Sequence, residues 1–157
     1  NNFLSDLPSI AISTDAVDAE AVARAQSWDI AEVRRFMIWF GLISTVFDLL
    51  TFWLLLHVFA ATEPLFQTAW FVVSLLTELA VLLVLRTRRA AWQSAPSRLL
   101  LGTTVAVALA ALALPFIGPL ARMFNMTALP PAMLAAVIAI VAGYVLATEW
   151  LKARFYR

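Results

Sequence analysis

Four carboxylates in this sequence stand where chemistry is conceivable, and each also has a bland counterpart. The first is Asp6, in the stretch NNFLSDLPS. Asn2 lies four residues earlier, on the same face of a helix, and Ser5 stands beside them. An amide oxygen, a hydroxyl and a carboxylate converging beside Pro8 make a hard-oxygen set, suited to Mg²⁺ or Ca²⁺ rather than to soft metals. Pro8 has no N–H and crowds the preceding turn, so it kinks the helix or ends a turn. A kink also frees backbone carbonyls, as interrupted membrane helices do. The competing reading of Asp6 is a carboxylate capping a helix end in water.

Asp48 sits in FGLISTVFDLLTF with Ser44 and Thr51 on its helical face. It reads either as a proton or cation contact or as an interhelical hydrogen bond that fixes packing. Glu78, in AWFVVSLLTELAV, has Ser74 and Gln67 at helical spacing. It either completes a cation site with another helix or stays protonated against a neighbour. Glu149 precedes Lys152 by three residues, the spacing of a surface ion pair with a snorkelling lysine. His57 reads as an interfacial residue.

Other chemistries are excluded by what is missing. There is no Cys, which removes thiolate metal sites, Cys nucleophiles and disulfides. One His leaves no room for a His-rich zinc site. No GxxxxGK[ST] phosphate loop or GxSxG elbow appears, and the chain lacks the parts of an enzyme. A net charge of +1 gives no nucleic-acid footprint.

The elements that position these residues follow from composition. Of 157 residues, 63% are hydrophobic and 13% charged, with a mean hydropathy of +0.89, so the solvent for much of this chain is lipid. Crossing a bilayer takes about 20 mostly apolar residues. Four stretches qualify, 36–60, 66–85, 99–116 and 132–150, and lipid requires them to be helical. The expected fold is all-α, a polytopic membrane helical bundle of half a helix plus four spans. Residues 1–12 form the end of a truncated membrane helix, 13–35 a polar linker with a short surface helix, and 36–157 the four-helix bundle. The start, with neither Met nor signal-peptide pattern, reads as a cut.

Ten basic residues fall on one side of this arrangement and Arg122 alone on the other. Excess Lys and Arg mark the cytoplasmic side, which places the linker, the loop between the second and third spans and the C-terminus there. Trp70, Trp150 and Tyr156 read as interfacial anchors. Small residues repeat every fourth position at Ala135, Ala139, Gly143 and Ala147, and at Gly102, Ala106 and Ala110, which predicts close helix approach along those faces.

The run NNFLSDLPSIAISTD, then VDAE, WDI, RRFMIWFGLISTVFDLLTF, FQTAW, LLTE, VLRTRR and KARFYR, resembles the C-terminal membrane region of P-type ATPases. The similarity is greatest to the bacterial magnesium-translocating branch and covers essentially the whole chain. It implies that residues 1–12 are the inner part of a sixth membrane helix and the four spans helices seven to ten. It further implies that Asn2, Ser5 and Asp6 face the transported cation, with Asn2 and Asp6 as metal contacts, while Asp48 matches a family Asp of less defined role. Val73 stands where the family's eighth helix often carries Glu, and Glu78 lies about 140° further around that helix. Other implications are an ATP-driven pump with Mg²⁺ as transported ion and ATP cofactor, none held stably by this segment alone. Its partners would be the lipid bilayer and the parent's remaining membrane helices and cytoplasmic domains, with the phosphorylated DKTGT Asp among them and no nucleic acid. The implied location is the bacterial plasma membrane. The alternatives are a free-standing non-enzymatic four-helix scaffold and a small secondary transporter using Asp48 and Glu78.

Overall fold

The structure, a computed structural model, describes residues 2–15 and 30–155, and the surface helix expected within 16–25 lies outside them. Helix α1 spans Asn2–Ala11 and closes with a tight turn, Ile12–Thr14. Helix α2 is Ile30–Trp53, continued by a wider turn over Leu54–Val58. Helix α3 is Glu63–Leu85 and α4 is Arg98–Ala113, followed by a tight turn at Leu114–Phe116. A short α5, Gly118–Met123, leads to α6, Pro131–Phe155. No strand occurs among the described residues. Four of these helices, of 19 to 29 residues, are long and apolar enough to cross a membrane, and the fold is an all-α membrane bundle.

Local chemistry sets the helix ends. Pro64 occupies the first turn of α3, where its missing N–H costs nothing, and Glu63 beside it faces the positive end of the helix dipole. Ser97 caps α4 by accepting from Leu100 N at 3.1 Å. The first span begins earlier than its apolar stretch: helix α2 already includes residues 30–35, because charge does not break a helix in water. Pro8 leaves α1 unbroken. It is fully buried within the helix, so neighbouring elements hold the backbone through the position where a bond is lost.

Helix α3 is the centre of the bundle. Of its apolar window 39% is buried, against 17% for α2, whose Trp39, Val46, Leu49 and Trp53 are exposed. Nearer its start, α3 packs through Val72 and Val73 with Leu55 in the wide turn after α2 and with Met133 and Val137 of α6. Further along the helix, Leu75 and Leu79 meet Val107 and Ala111 of α4 and Leu4 of α1. Buried Thr51 and Thr148 stay satisfied inside this apolar interior by donating to carbonyls one turn back, Thr51 to Phe47 O at 2.7 Å and Thr148 to Tyr144 O at 2.9 Å, while Thr104 Oγ1 has no partner among the described residues. Trp70 stacks on Phe52 with ring centroids 4.3 Å apart. It is therefore part of the packing between α2 and α3.

The small-residue ladders do not mark the packed faces. Gly102, Ala106 and Ala110 are all exposed, and a side chain at Gly102 would meet nothing within 4 Å. Helix α4 buries Leu100, Thr104, Val107 and Ala111 instead, and α6 buries Met133, Val137, Ile140 and Tyr144. Large side chains interdigitate here, so helix contacts come from ridges and not from backbone approach. Gly143 is the exception: a Cβ there would lie 3.3 Å from Phe47 Cε1.

Ala60, just after the wide turn ending α2, has φ 44°, the left-handed region where an L side chain crowds its carbonyl. Exchange for Gly removes that crowding. Ala60→Gly is expected to raise stability by about 1 kcal/mol, read as a later unfolding midpoint in mixed micelles; an unchanged or earlier midpoint would show that the turn carries no strain.

Candidate functional site

Helix α1 divides its residues between two faces. Ser5, Pro8 and Ala11 are buried, and Phe3, Asp6, Leu7 and Ile10 form an exposed stripe. Ser5 and Asp6 are adjacent in sequence, so they stand about 100° apart on the helix. The structure thus separates two members of the expected trio: Ser5 is 4% exposed in the packing face, while Asp6 opens away from the described helices. Asn2 holds the register position one turn before Asp6, and its side chain lies outside the described ones. The reason for the split is the packing of α1 along one side only, against α4 and α3. What remains on the open face is a carboxylate set in an apolar stripe.

Asp48 and Glu78 come together. A cavity of about 340 Å³ between α2, α3 and α6 is lined by both, with Ser44, Ser74, Thr77 and Tyr144. Ser44 Oγ and Tyr144 Oη are 2.9 Å apart, which joins α2 to α6 beside the two acids. Neither Asp48 nor Glu78 has a hydrogen bond or ion pair among the described residues. Gln67, expected on the face of Glu78, instead donates to Glu63 at 3.2 Å. Val73 is buried in the same cavity wall, with Glu78 reaching the pocket from further along α3. Among the described residues no group of three His, Cys, Asp or Glu is disposed to hold a metal ion. With only two acids converging, this pocket lacks a full ligand cage of its own.

Glu149 is not a surface residue. Its side chain is 5% exposed and that of Lys152 2%, with Nζ 2.9 Å from Glu149 Oε1. The same oxygen accepts from Ala91 N at 2.9 Å, and Lys152 Nζ donates to Val84 O at 2.7 Å. The loop after α3 folds over the end of α6 and covers the pair. Snorkelling is thus replaced by burial with every charge partnered. His57 is exposed and its Nδ1 lies 3.2 Å from Trp53 O, in keeping with an unspecialised role.

Sequence reasoning missed one further cluster. Asp15, just beyond α1, forms a buried ion pair with Arg86 at 2.9 Å. The run of basic residues at 86–89 carries a topology signal, and nothing local reveals that its first member turns inward to a carboxylate 71 residues earlier.

Comparison with known proteins joins these observations. The family model "Cation transporting ATPase, C-terminus" matches residues 1–154. A protein of Escherichia coli strain K12 called "Magnesium-transporting ATPase, P-type 1" is 42% identical over 99% of this chain and 18% of its own length. A Salmonella typhimurium protein of the same name, from strain 14028s, is 40% identical over the same shares. A second from strain LT2 is 32% identical over 99% of this chain and 17% of its own. The chain therefore spans less than a fifth of the length of these curated relatives. With four membrane-spanning helices and a match along nearly all of its residues, the chain belongs to the P-type cation-transporting ATPases, as their C-terminal membrane domain.

Proposed function

We propose that this domain forms part of the cation path and the helical scaffold of an ATP-driven pump whose cargo is Mg²⁺. The observation that carries the reading is the 42% identity, along 99% of the chain, to a protein named for magnesium transport. The exposed stripe of α1 supports it. Phe3, Leu7 and Ile10 form an apolar surface that the parent's other membrane helices would cover, and Asp6 would then face a hard cation inside the protein. In one state Asp6, with Asn2 on the same face, exchanges the cation's water for protein oxygens. In the other, rigid-body motion opens the site and releases it. Asp48 and Glu78 serve as polar contacts of a hydrated intramembrane pocket. ATP, with its own Mg²⁺, is handled by the parent's cytoplasmic domains.

The domain boundaries that fit this role are 1–12, 13–35 and 36–157. Residues 1–12 end the helix that touches the cation, 13–35 link it to the bundle, with 30–35 already the first turns of α2, and 36–157 brace it. The basic bias places the linker, the α3–α4 loop and the C-terminus in the cytoplasm of a bacterium, with the bundle in the plasma membrane.

The test uses sealed vesicles holding the intact protein and a Mg²⁺-sensitive dye. Mg²⁺ movement that requires ATP is the expected result. Movement without ATP, driven by this domain alone in liposomes, would reject the pump in favour of a secondary transporter.

A further inference from the structure

The end of α1 is held by a buried device that the cation-facing stripe does not use. Asp15 Oδ2 accepts from Arg86 Nη1 at 2.9 Å, with side chains 8% and 2% exposed. Its other oxygen accepts from Ser97 N at 2.6 Å. Arg86, one residue past α3, also donates through Nη2 to Ser94 O. Ser97 caps α4, and its hydroxyl lies 3.2 Å from Thr14 Oγ1. One carboxylate therefore ties the end of α1 to the end of α3 and the start of α4.

Helix α1 depends on such ties. Pro8 removes the bond that its N–H would give to Leu4 O, so the turns between Asp6 and Asp15 are joined to the rest of the helix by one bond fewer. It packs along one side only, leaving Asp6 on the other. Nine residues separate Asp6 from Asp15, about 14 Å at helical rise. What anchors the far end of this proline-interrupted stretch thus bears on the depth and roll of Asp6.

We propose that Asp15 and Arg86 are a positioning pair that sets the cation affinity of the Asp6 face without touching the cation. The proposal rests on the reading of Asp6 as a cation contact. Removing either member leaves the other charge buried and unpaired, and Arg86 Nε already has no partner among the described residues. The loop must then open to water, Ser97 N loses its charged acceptor when Asp15 is the member changed, and the end of α1 is freed. A cation site loosened in this way loses affinity, because ligands bind well only when held in geometry by supporting contacts.

The experiment is the dependence of ATP turnover on free Mg²⁺, at constant Mg-ATP, in the intact protein. Asp15→Asn and Arg86→Gln are each expected to raise the half-activating Mg²⁺ concentration roughly 3- to 30-fold, the range for residues coupled to a site from a distance. Maximal turnover stays within about twofold of wild type, since no group that meets substrate has changed. The double variant should be no worse than either single one, because the second change removes an interaction already lost. Asp15→Glu, which keeps the charge, should recover much of the affinity. An unchanged half-activating concentration in both single variants overturns the proposal, as does an equal loss of affinity and maximal rate, the mark of a merely unstable protein. If wild type shows no Mg²⁺-stimulated turnover, or Asp6→Asn leaves it unaltered, the underlying reading of Asp6 has failed instead.

Discussion

Asp6→Asn is expected to abolish or sharply reduce cation-stimulated ATP turnover of the intact pump, while the protein still inserts and folds. The side chain is exposed on α1 and makes no hydrogen bond or ion pair among the described residues, so its loss is not expected to weaken their packing. Asn keeps the size and one oxygen but removes the charge that a divalent cation requires in a site largely stripped of water. Losing a residue that only orients a ligand commonly costs 10- to 100-fold in metal affinity, so losing the ligand's own charge should cost about 100-fold or more. Ser5→Ala is the contrasting case. Ser5 is 4% exposed within the packed face of α1, so its change should shift cation dependence by no more than about threefold, within the reach of indirect coupling. Steady-state turnover against free cation separates the two. Equal effects from both variants would mean that the two faces of α1 are not distinct.

Glu149→Ala carries the largest expected cost in stability. Lys152 Nζ is buried and held by Glu149 Oε1 at 2.9 Å and Val84 O at 2.7 Å. Without the carboxylate the ammonium keeps one carbonyl, and Ala91 N loses its acceptor. Breaking a buried pair from one side typically costs about 3–5 kcal/mol. The expected readout is a correspondingly earlier unfolding midpoint in mixed micelles. Replacing both residues by Met removes both charges together and should cost far less than the single change. Should Glu149→Ala shift the midpoint by under about 1 kcal/mol, the pair would be behaving like an exposed one.

Much of this was legible in the chain itself. The four membrane helices follow from long apolar runs, which admit no other backbone in lipid, and the family from residues quoted along the whole length. What could not be read is which side of each helix finds a neighbour. Gly102, Ala106 and Ala110 have the spacing of a packing seam, yet α4 turns Leu100, Val107 and Ala111 inward. Spacing fixes only which residues share a face. Asp48 and Glu78 share a site only in the secondary-transporter alternative, because nothing local says that α2 and α3 place them on one cavity. Glu149 and Lys152 were visible as a pair, but their burial comes from a loop folding back across the end of α6, a long-range event. Asp15 and Arg86 lie 71 residues apart and meet for the same reason.

The central claim is that the open face of α1 grips the transported ion through Asp6. Calorimetric titration of the intact protein with Mg²⁺, nucleotide absent, tests it without relying on turnover. Wild type should show saturable binding that Asp6→Asn loses and Ser5→Ala retains. Binding of the same stoichiometry and affinity in Asp6→Asn would contradict the account.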